Sequence, residues 1–467
     1  MNKSKKIVLV GAGSAMFTQG LVADMILATD MGPWELGLVD VAPQALETAE
    51  KLSQQMVEAR GADITISTST ERRDILPGAD VVVMTVGVGG RRGWEKDVFI
   101  PRKYGVYQPV GDSVMPGGIS RAMRMIPVLV DIARDVKELC PGALFINYSN
   151  PMTANCWAIR KATGMPVVGL CHGVFDVERQ LAQFIGAPPE EVTSLFAGLN
   201  HLTFIFDLRW RGRDAWPLVR ARLAEERGQL QDIEGLGQKF PEMGAPSEFF
   251  KAADNPFSWS LFETYGAYPA VNDRHVSEFF PERFPGGRYY GGKTLGVDAF
   301  SFEDTIAWGD EIYADMRAQA LGAKPLDKRI FERAEGEHEQ LIEILRSVER
   351  DERRVFSANL PNRGAVPNLP YEAILELPAA ATATGLRPLQ IHDFPDPLAA
   401  IINRRLAATL LTVEAALNGD RGLFVEALLA DGAVTDSEVA RKMVEELLEA
   451  HRLDLVNFFP GEARHYR

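Results

Sequence analysis

Residues 6–10 form a short apolar run that ends abruptly in Gly11-Ala12-Gly13-Ser14. A helical stretch over 15–28 follows, and a second apolar run over 35–39 ends at Asp40. A strand that turns through glycines straight into a helix opens a βαβ unit, whose strands lie parallel and are covered on both faces. The glycines let the backbone approach a pyrophosphate, and the first turn of the helix offers it free N–H groups and a positive dipole end. An acidic side chain closing the second strand accepts hydrogen bonds from a ribose 2′-hydroxyl, which favours NAD over NADP. Gly11, Gly13, Ser14 and Asp40 are therefore the candidate cofactor contacts. Met16 stands where the usual fingerprint has a third glycine.

The alternation continues down the chain. Residues 43–59 predict a helix, 63–67 a short strand, and 80–86 (DVVVMTV) a strand buried on both faces. A long helix over 119–139 and strands over 144–146 and 166–170 follow. The fold class expected is α/β: a Rossmann-like, doubly wound parallel sheet over 1–195. After about residue 196 the rhythm changes. Residues 202–210 read as a strand in an antiparallel hairpin, and 326–350 and 397–451 carry amphipathic helical patterns. Residues 251–297 are dense in aromatic, Gly and Pro residues without a period, as in a site-forming loop region. Residues 196–467 are expected to form an α+β domain for substrate, metal and oligomerisation, giving a lactate/malate dehydrogenase-like architecture.

Composition narrows the partners. A net charge of −14 over 467 residues argues against nucleic acid or an anionic membrane surface, since both need a basic face. No run approaches the roughly 20 apolar residues of a membrane span. Three cysteines, Cys140, Cys156 and Cys171, cannot all pair, which fits a reduced, cytoplasmic setting. The apolar run at the start is too short for a secretory signal and breaks at Gly11 and Gly13.

Three further segments carry chemistry. Gly111-Asp112-Ser113 through Gly118 precedes the long helix; Asp112 can cap that helix or, beside the glycines, meet a ligand. Asn147-Tyr148-Ser149-Asn150-Pro151 follows a strand and sets amides at the sheet edge where doubly wound folds bind ligands. Cys171-His172-Gly173-Val174 follows another strand, and Asn200-His201 lies about 30 residues on. A thiolate and an imidazole suit a borderline divalent metal and leave positions open to substrate hydroxyls.

Taken together, these segments resemble family 4 of the glycoside hydrolases, the NAD-dependent group. The resemblance rests on GAGS at 11–14, Asp40, GDSVMPGGISRAMRMIP at 111–127, NYSNP at 147–151, CHGV at 171–174, NHLT at 200–203 and YGAYPAVNDRHVSEFFP at 265–281. It implies that Cys171 and His201 bind a divalent metal, usually Mn2+. It also implies NAD on Gly11, Gly13, Ser14, Asp40 and Asn147, with Asp112 and Asn150 positioning sugar hydroxyls. CHGV, with His172 beside the metal ligand, looks like the α-glucuronidase type. The DRHxxEF segment from Asp273 is similar to uronide-cleaving members, where Arg274 and His275 would pair with the sugar carboxylate. Asp273 best matches the base of the α-glucosidase-like members, with Tyr265 and Tyr268 as alternatives. Met115 departs from the Gly or Thr of many members.

The chemistry implied is a redox route. NAD+ takes hydride from C3, the metal polarises the new ketone, and a base removes the C2 proton. The aglycone leaves C1, water adds, and NADH restores the alcohol. The substrate expected is a small anionic carbohydrate, an α-glucuronide or α-galacturonide, cleaved by a homodimer or homotetramer. Two alternatives are an NAD-dependent dehydrogenase of a sugar or hydroxy acid, which would accumulate NADH, and a non-catalytic NAD-binding sensor.

Overall fold

The computed structural model of the chain describes residues 4–15, 17–229, 254–332 and 340–464. Its first strands are β1 (Lys5–Val10), β2 (Trp34–Val39), β3 (Ile64–Ser69), β4 (Val81–Met84), β5 (Leu144–Asn147) and β6 (Val168–Gly169). They lie side by side in the order β3-β2-β1-β4-β5-β6, every pair parallel. This is the winding of dinucleotide-binding folds, whose crevice opens beyond the carboxyl ends of β1 and β4. Ile7 and Leu9 of β1 enter a core with helices Thr18–Leu27 and Pro43–Arg60, whereas Val8 and Val10 enter a second core under helices Met115–Leu139 and Met152–Thr163. Both faces are covered, so the strand is apolar throughout rather than alternating.

The later strands are β7 (Val192–Leu199), β8 (Leu202–Trp210), β9 (Arg213–Asp214), β10 (Tyr268–Pro269), β11 (Val355–Pro361), β12 (Ile374–Thr382) and β13 (Gly385–Pro388). β7 and β8 form the antiparallel hairpin expected around 202–210. The later strands extend the first sheet instead of building another: β6 pairs antiparallel with β11, β11 with β12, β12 with β7, β7 with β8 and β8 with β10. Among the described residues one 13-stranded sheet results. Residue 195, where the division of the chain was expected, lies inside β7.

Several boundaries differ from the sequence reading. The first helix starts at Thr18, and Met16 lies outside the described residues. The pattern over 326–350 resolves into a 3₁₀ turn, Lys328–Phe331, and a helix, Leu341–Arg350, with 333–339 outside the described residues. The pattern over 397–451 is three helices, Asp396–Asn418, Arg421–Asp431 and Ser437–Ala450. Gly419 and Gly432 end the first two in left-handed conformations, φ 64° and 89°, which stop a helix with little strain. Within 251–297, residues 251–253 are outside the description, and the rest holds the helix Pro256–Tyr265 followed by short turns. No described helix is long and apolar enough to cross a membrane.

Candidate active site

The cofactor end is built by close packing. Gly11 adopts φ 93°, and a Cβ there would lie 2.8 Å from the Thr85 carbonyl carbon. A Cβ on Gly13 would lie 2.5 Å from Ala45 Cβ and 2.8 Å from Asp40 Oδ2. Asp40 accepts hydrogen bonds from Gly13 N (2.8 Å) and Ala42 N (2.9 Å), and burial raises its carboxyl above the ordinary range. A cleft of about 380 Å³ runs from Gly11, Gly13, Ser14 and Asp40 to Ser149 and Asn150. Gly13→Val drives a side chain into Ala45 and the Asp40 carboxylate, displacing one wall of this cleft. It is expected to weaken dinucleotide binding by ~10-fold or more, the effect of about 1.4 kcal/mol, in an NADH fluorescence titration.

Asn147 does not line this cleft. It is fully buried, its Nδ2 donates to Ser149 O (2.9 Å), and its Oδ1 accepts from Ser149 N (3.1 Å). The expected cofactor contact is thus a turn-forming residue. Both faces of its amide are occupied by the backbone that presents Ser149 and Asn150.

The far end of the cleft meets a second cluster. Asn150 Nδ2 donates to Asp112 Oδ2 at 2.8 Å. Asp112, His201 and His275 each present a ligand atom, and these atoms lie within 4.8 Å of one another. Ser113 Oγ donates to Asp112 Oδ1 (2.9 Å) and lies 2.8 Å from His201 Nδ1. With its single proton on Asp112, the hydroxyl can only accept from Nδ1–H, leaving Nε2 of His201 as a lone-pair donor. Burial lowers the pKa of His201 and takes His275 well below the ordinary histidine value, so both rings are neutral. Neutral imidazoles beside a carboxylate suit a divalent transition metal.

His201 ends the two-residue loop of the β7–β8 hairpin in a left-handed conformation, φ 68°, where a residue other than glycine carries strain. Its ring packs on His275, with centroids 4.1 Å apart. Cys171 follows β6 and is half-buried; its Sγ would lie 3.6 Å from a Cβ at Gly173, the first residue of the helix Gly173–Phe184. It does not fall within the 4.8 Å set, but its neighbour His172 acts electrostatically on both His201 and His275. The side chain of His172 is 60% exposed and lies 3.7 Å from Asp176.

Two expected catalytic groups sit in the walls instead. Asp273 is 0% exposed. Its carboxylate accepts from Phe257 N (2.8 Å), Ser258 N (2.7 Å), Ser258 Oγ (2.5 Å) and the Tyr289 hydroxyl. These include N–H groups in the first turn of the helix Pro256–Tyr265, which no residue within the helix can satisfy. Asp273 is therefore a capping carboxylate with both oxygens occupied, closed to a substrate in this arrangement. Tyr268 is also 0% exposed, its ring 4.8 Å from that of Trp259, and burial raises its hydroxyl well above the ordinary range. It is a wall residue. Tyr265 is half-buried against the neighbouring apolar core. Arg274 donates to Thr305 Oγ1 at 2.8 Å and is influenced by the charge of Asp112.

Residues that sequence reasoning passed over complete the cluster. Ser113 orients His201, as above. Arg121, which lines the cleft, donates from Nε to Asn150 O at 3.0 Å. Glu278 is 2% exposed and accepts from Val110 N and Gly111 N, both at 2.8 Å, so it holds the Gly111–Ser113 turn against the Asp273–Val276 segment. Burial pushes its carboxyl up to about 8. Met115, the departure noted from the sequence, has φ 56°, a conformation that glycine adopts freely, and its side chain is buried in the apolar core.

Comparison with known proteins agrees with this architecture. Residues 6–187 match the family described as family 4 glycosyl hydrolase, and residues 196–434 match its C-terminal domain. An α-glucosidase of Erwinia rhapontici is 28% identical over 474 residues, covering 95% of this chain and 97% of the relative. An α-galacturonidase of Thermoanaerobacterium saccharolyticum is 31% identical over 388 residues, 80% of each chain. The structure of a 6-phospho-α-glucosidase from gut microorganisms, in complex with NAD and Mn2+, superposes with a TM-score of 0.80 at 17% identity, covering 97% of this chain and 99% of that one.

Proposed function

Because this chain belongs to family 4 of the glycosyl hydrolases, we propose that it hydrolyses α-uronides, with NAD in the cleft that starts at Gly11 and a divalent metal, Mn2+ by preference, at His201. One observation carries the reading. The cleft leads to Asn150, whose amide is bonded to Asp112, and Asp112 stands with His201 and His275 in a single metal-sized cluster. A sugar bound between the two therefore has its ring hydroxyls at the cluster and a ring carbon at the cofactor. When bound, NAD+ would supply a reversible hydride acceptor for C3, and a metal held at His201 would supply Lewis-acid polarisation of the C3 oxygen.

The chain's own residues do the rest. Cys171 and His201 would hold the metal, with Asp112 and His275 available to the same ion. Asn150 and Asp112 fix the hydroxyls, and Ser113 keeps Nε2 of His201 free of a proton. Asp112, His172 and His275 face the sugar, whereas Asp273 and Tyr268 support the wall behind it. Arg274, with Arg121 near the cluster, supplies positive potential for a sugar carboxylate. The α-galacturonidase relative supports a uronide. The three cysteines, none in a disulfide, fit a reducing cytoplasm, and we infer a homo-oligomer.

The test is a panel of aryl α-glycosides (glucuronide, galacturonide, glucoside, galactoside) assayed with and without NAD+, Mn2+ and a thiol reductant. Cleavage of a uronide that needs all three additions, with no NADH accumulating, is expected. Preferred cleavage of a neutral glycoside removes the uronide assignment. NADH accumulating with a free sugar acid replaces hydrolysis by dehydrogenation.

A further inference from the structure

Glu376 of β12 lies on one rung of the sheet with residues of three other strands. It pairs with Gly198 of β7 on one side and Asn359 of β11 on the other, and Asn359 pairs with Gly169 of β6. That rung joins the two strands that deliver the metal ligands: His201 comes three residues after Gly198, and Cys171 two after Gly169. Glu376 is 1% exposed, yet it stands in an apolar stretch, Ala-Ile-Leu-Glu-Leu. Thr203 Oγ1, two residues past His201, lies 2.5 Å from Glu376 Oε2. Asn359 Nδ2 lies 3.3 Å from Oε1 and 3.5 Å from the Gly169 carbonyl, and Ser357 Oγ donates to Oε1 at 3.4 Å. Thr203, Ser357 and Asn359 are each 0% exposed.

We propose that Glu376 is a positioning residue that sets the separation of His201 and Cys171 by tying the β7–β8 hairpin to β6. One oxygen holds the strand that leaves His201, and the other holds Asn359, which reaches the strand that leads to Cys171. An apolar residue could fill this position in the sheet, but it could not join donors on both sides. A buried carboxylate engaged by several donors fixes their mutual geometry because leaving any of them unpaired in the interior is costly. Partners lying behind metal ligands orient those ligands, and their loss typically lowers metal affinity by ~10–100-fold. The inference rests on the metal reading given under the proposed function.

The experiment compares full-length wild type, Glu376→Leu and Thr203→Val. Mn2+ affinity is followed by the electron paramagnetic resonance of free Mn2+, and NADH affinity by fluorescence. Glu376→Leu removes the acceptor from both arms, whereas Gln could still donate to the Thr203 oxygen, whose proton can go to the Leu199 carbonyl at 2.9 Å. Thr203→Val cuts the arm to His201 while leaving the carboxylate intact. Both are expected to weaken Mn2+ binding ~10-fold or more while NADH affinity stays within about twofold. The double variant should be no weaker than the worse single one. A merely structural role would loosen both sites together, so equal losses of Mn2+ and NADH affinity overturn the proposal. Unchanged Mn2+ affinity in both variants, with wild type binding the metal, also overturns it and leaves the proposed function standing. Absence of Mn2+ binding by wild type overturns both.

Discussion

Cys171→Ser is expected to reduce turnover at least ~10³-fold, whereas Cys140→Ser and Cys156→Ser leave it near wild type. A Lewis-acid metal contributes several kcal/mol of transition-state stabilisation, and ~4 kcal/mol is about three orders of magnitude in rate. The contrast among the three cysteines follows from their surroundings. Cys140 and Cys156 are buried, and burial pushes the Cys156 thiol up to about 12 and raises that of Cys140 as well. They remain protonated and act as small apolar groups. Cys171 is half-buried just past the carboxyl end of β6, at the start of the helix Gly173–Phe184. It is the least buried of the three and the one proposed as a metal ligand, so air exposure should inactivate the enzyme, and thiol reductant with Mn2+ should restore it. The measurements are kcat with Mn2+ added and the stoichiometry of bound metal. Full activity and full metal content in Cys171→Ser would leave Asp112, His201 and His275 as the ligands and remove the thiolate from the site.

Asp273→Ala is expected to lower stability by about 3 kcal/mol or more. The substitution leaves donors from Phe257, Ser258 and Tyr289 buried without an acceptor, and each such group costs about 1–3 kcal/mol. Urea denaturation reads this directly. Asp273→Asn retains one acceptor oxygen and should recover part of the loss. Exchange of deuterium from solvent into C2 of the sugar separates the cap from a base. In the folded Asn variant, exchange near the wild-type rate is expected of a cap. A stable Asn variant with no exchange at C2 would return the proton abstraction to Asp273.

The same residue marks where sequence reasoning stops. The acidic group in the DRHxxEF segment is visible in the sequence, but its partners are backbone N–H groups of a helix that starts 17 residues earlier, at Pro256. No spacing rule reports such a bond. Asn147, expected at the cofactor, is buried and bonded to Ser149 for a related reason: the same amide chemistry serves a ligand or a turn, and a sequence does not report burial. By contrast, β1, β2 and β4 were legible because strands covered on both faces must be apolar without interruption. Gly11, Gly13 and Asp40 were legible because a turn this tight leaves few alternatives at each position. β11 and β12 were not. Alanine-rich Pro-Ala-Ala-Ala-Thr in β12 carries no strand period, and its pairing with Gly198 joins residues almost 180 apart in the chain. Glu376, a lone acid in an apolar run, was the signal available there.

The antiparallel seam between β6 and β11 makes the two parts of the molecule a single hydrogen-bonded fabric. A dehydrogenase must let its spent cofactor go after every cycle, and a hinge between domains is one common means of doing so. Here, swinging one half away from the other would tear backbone bonds in the middle of the sheet. A catalyst that returns its borrowed hydride within the same cycle has no need of that movement. In such a frame a dinucleotide at Gly11 would be expected to stay through many cycles, and any exchange would fall to loops rather than to a hinge across the sheet.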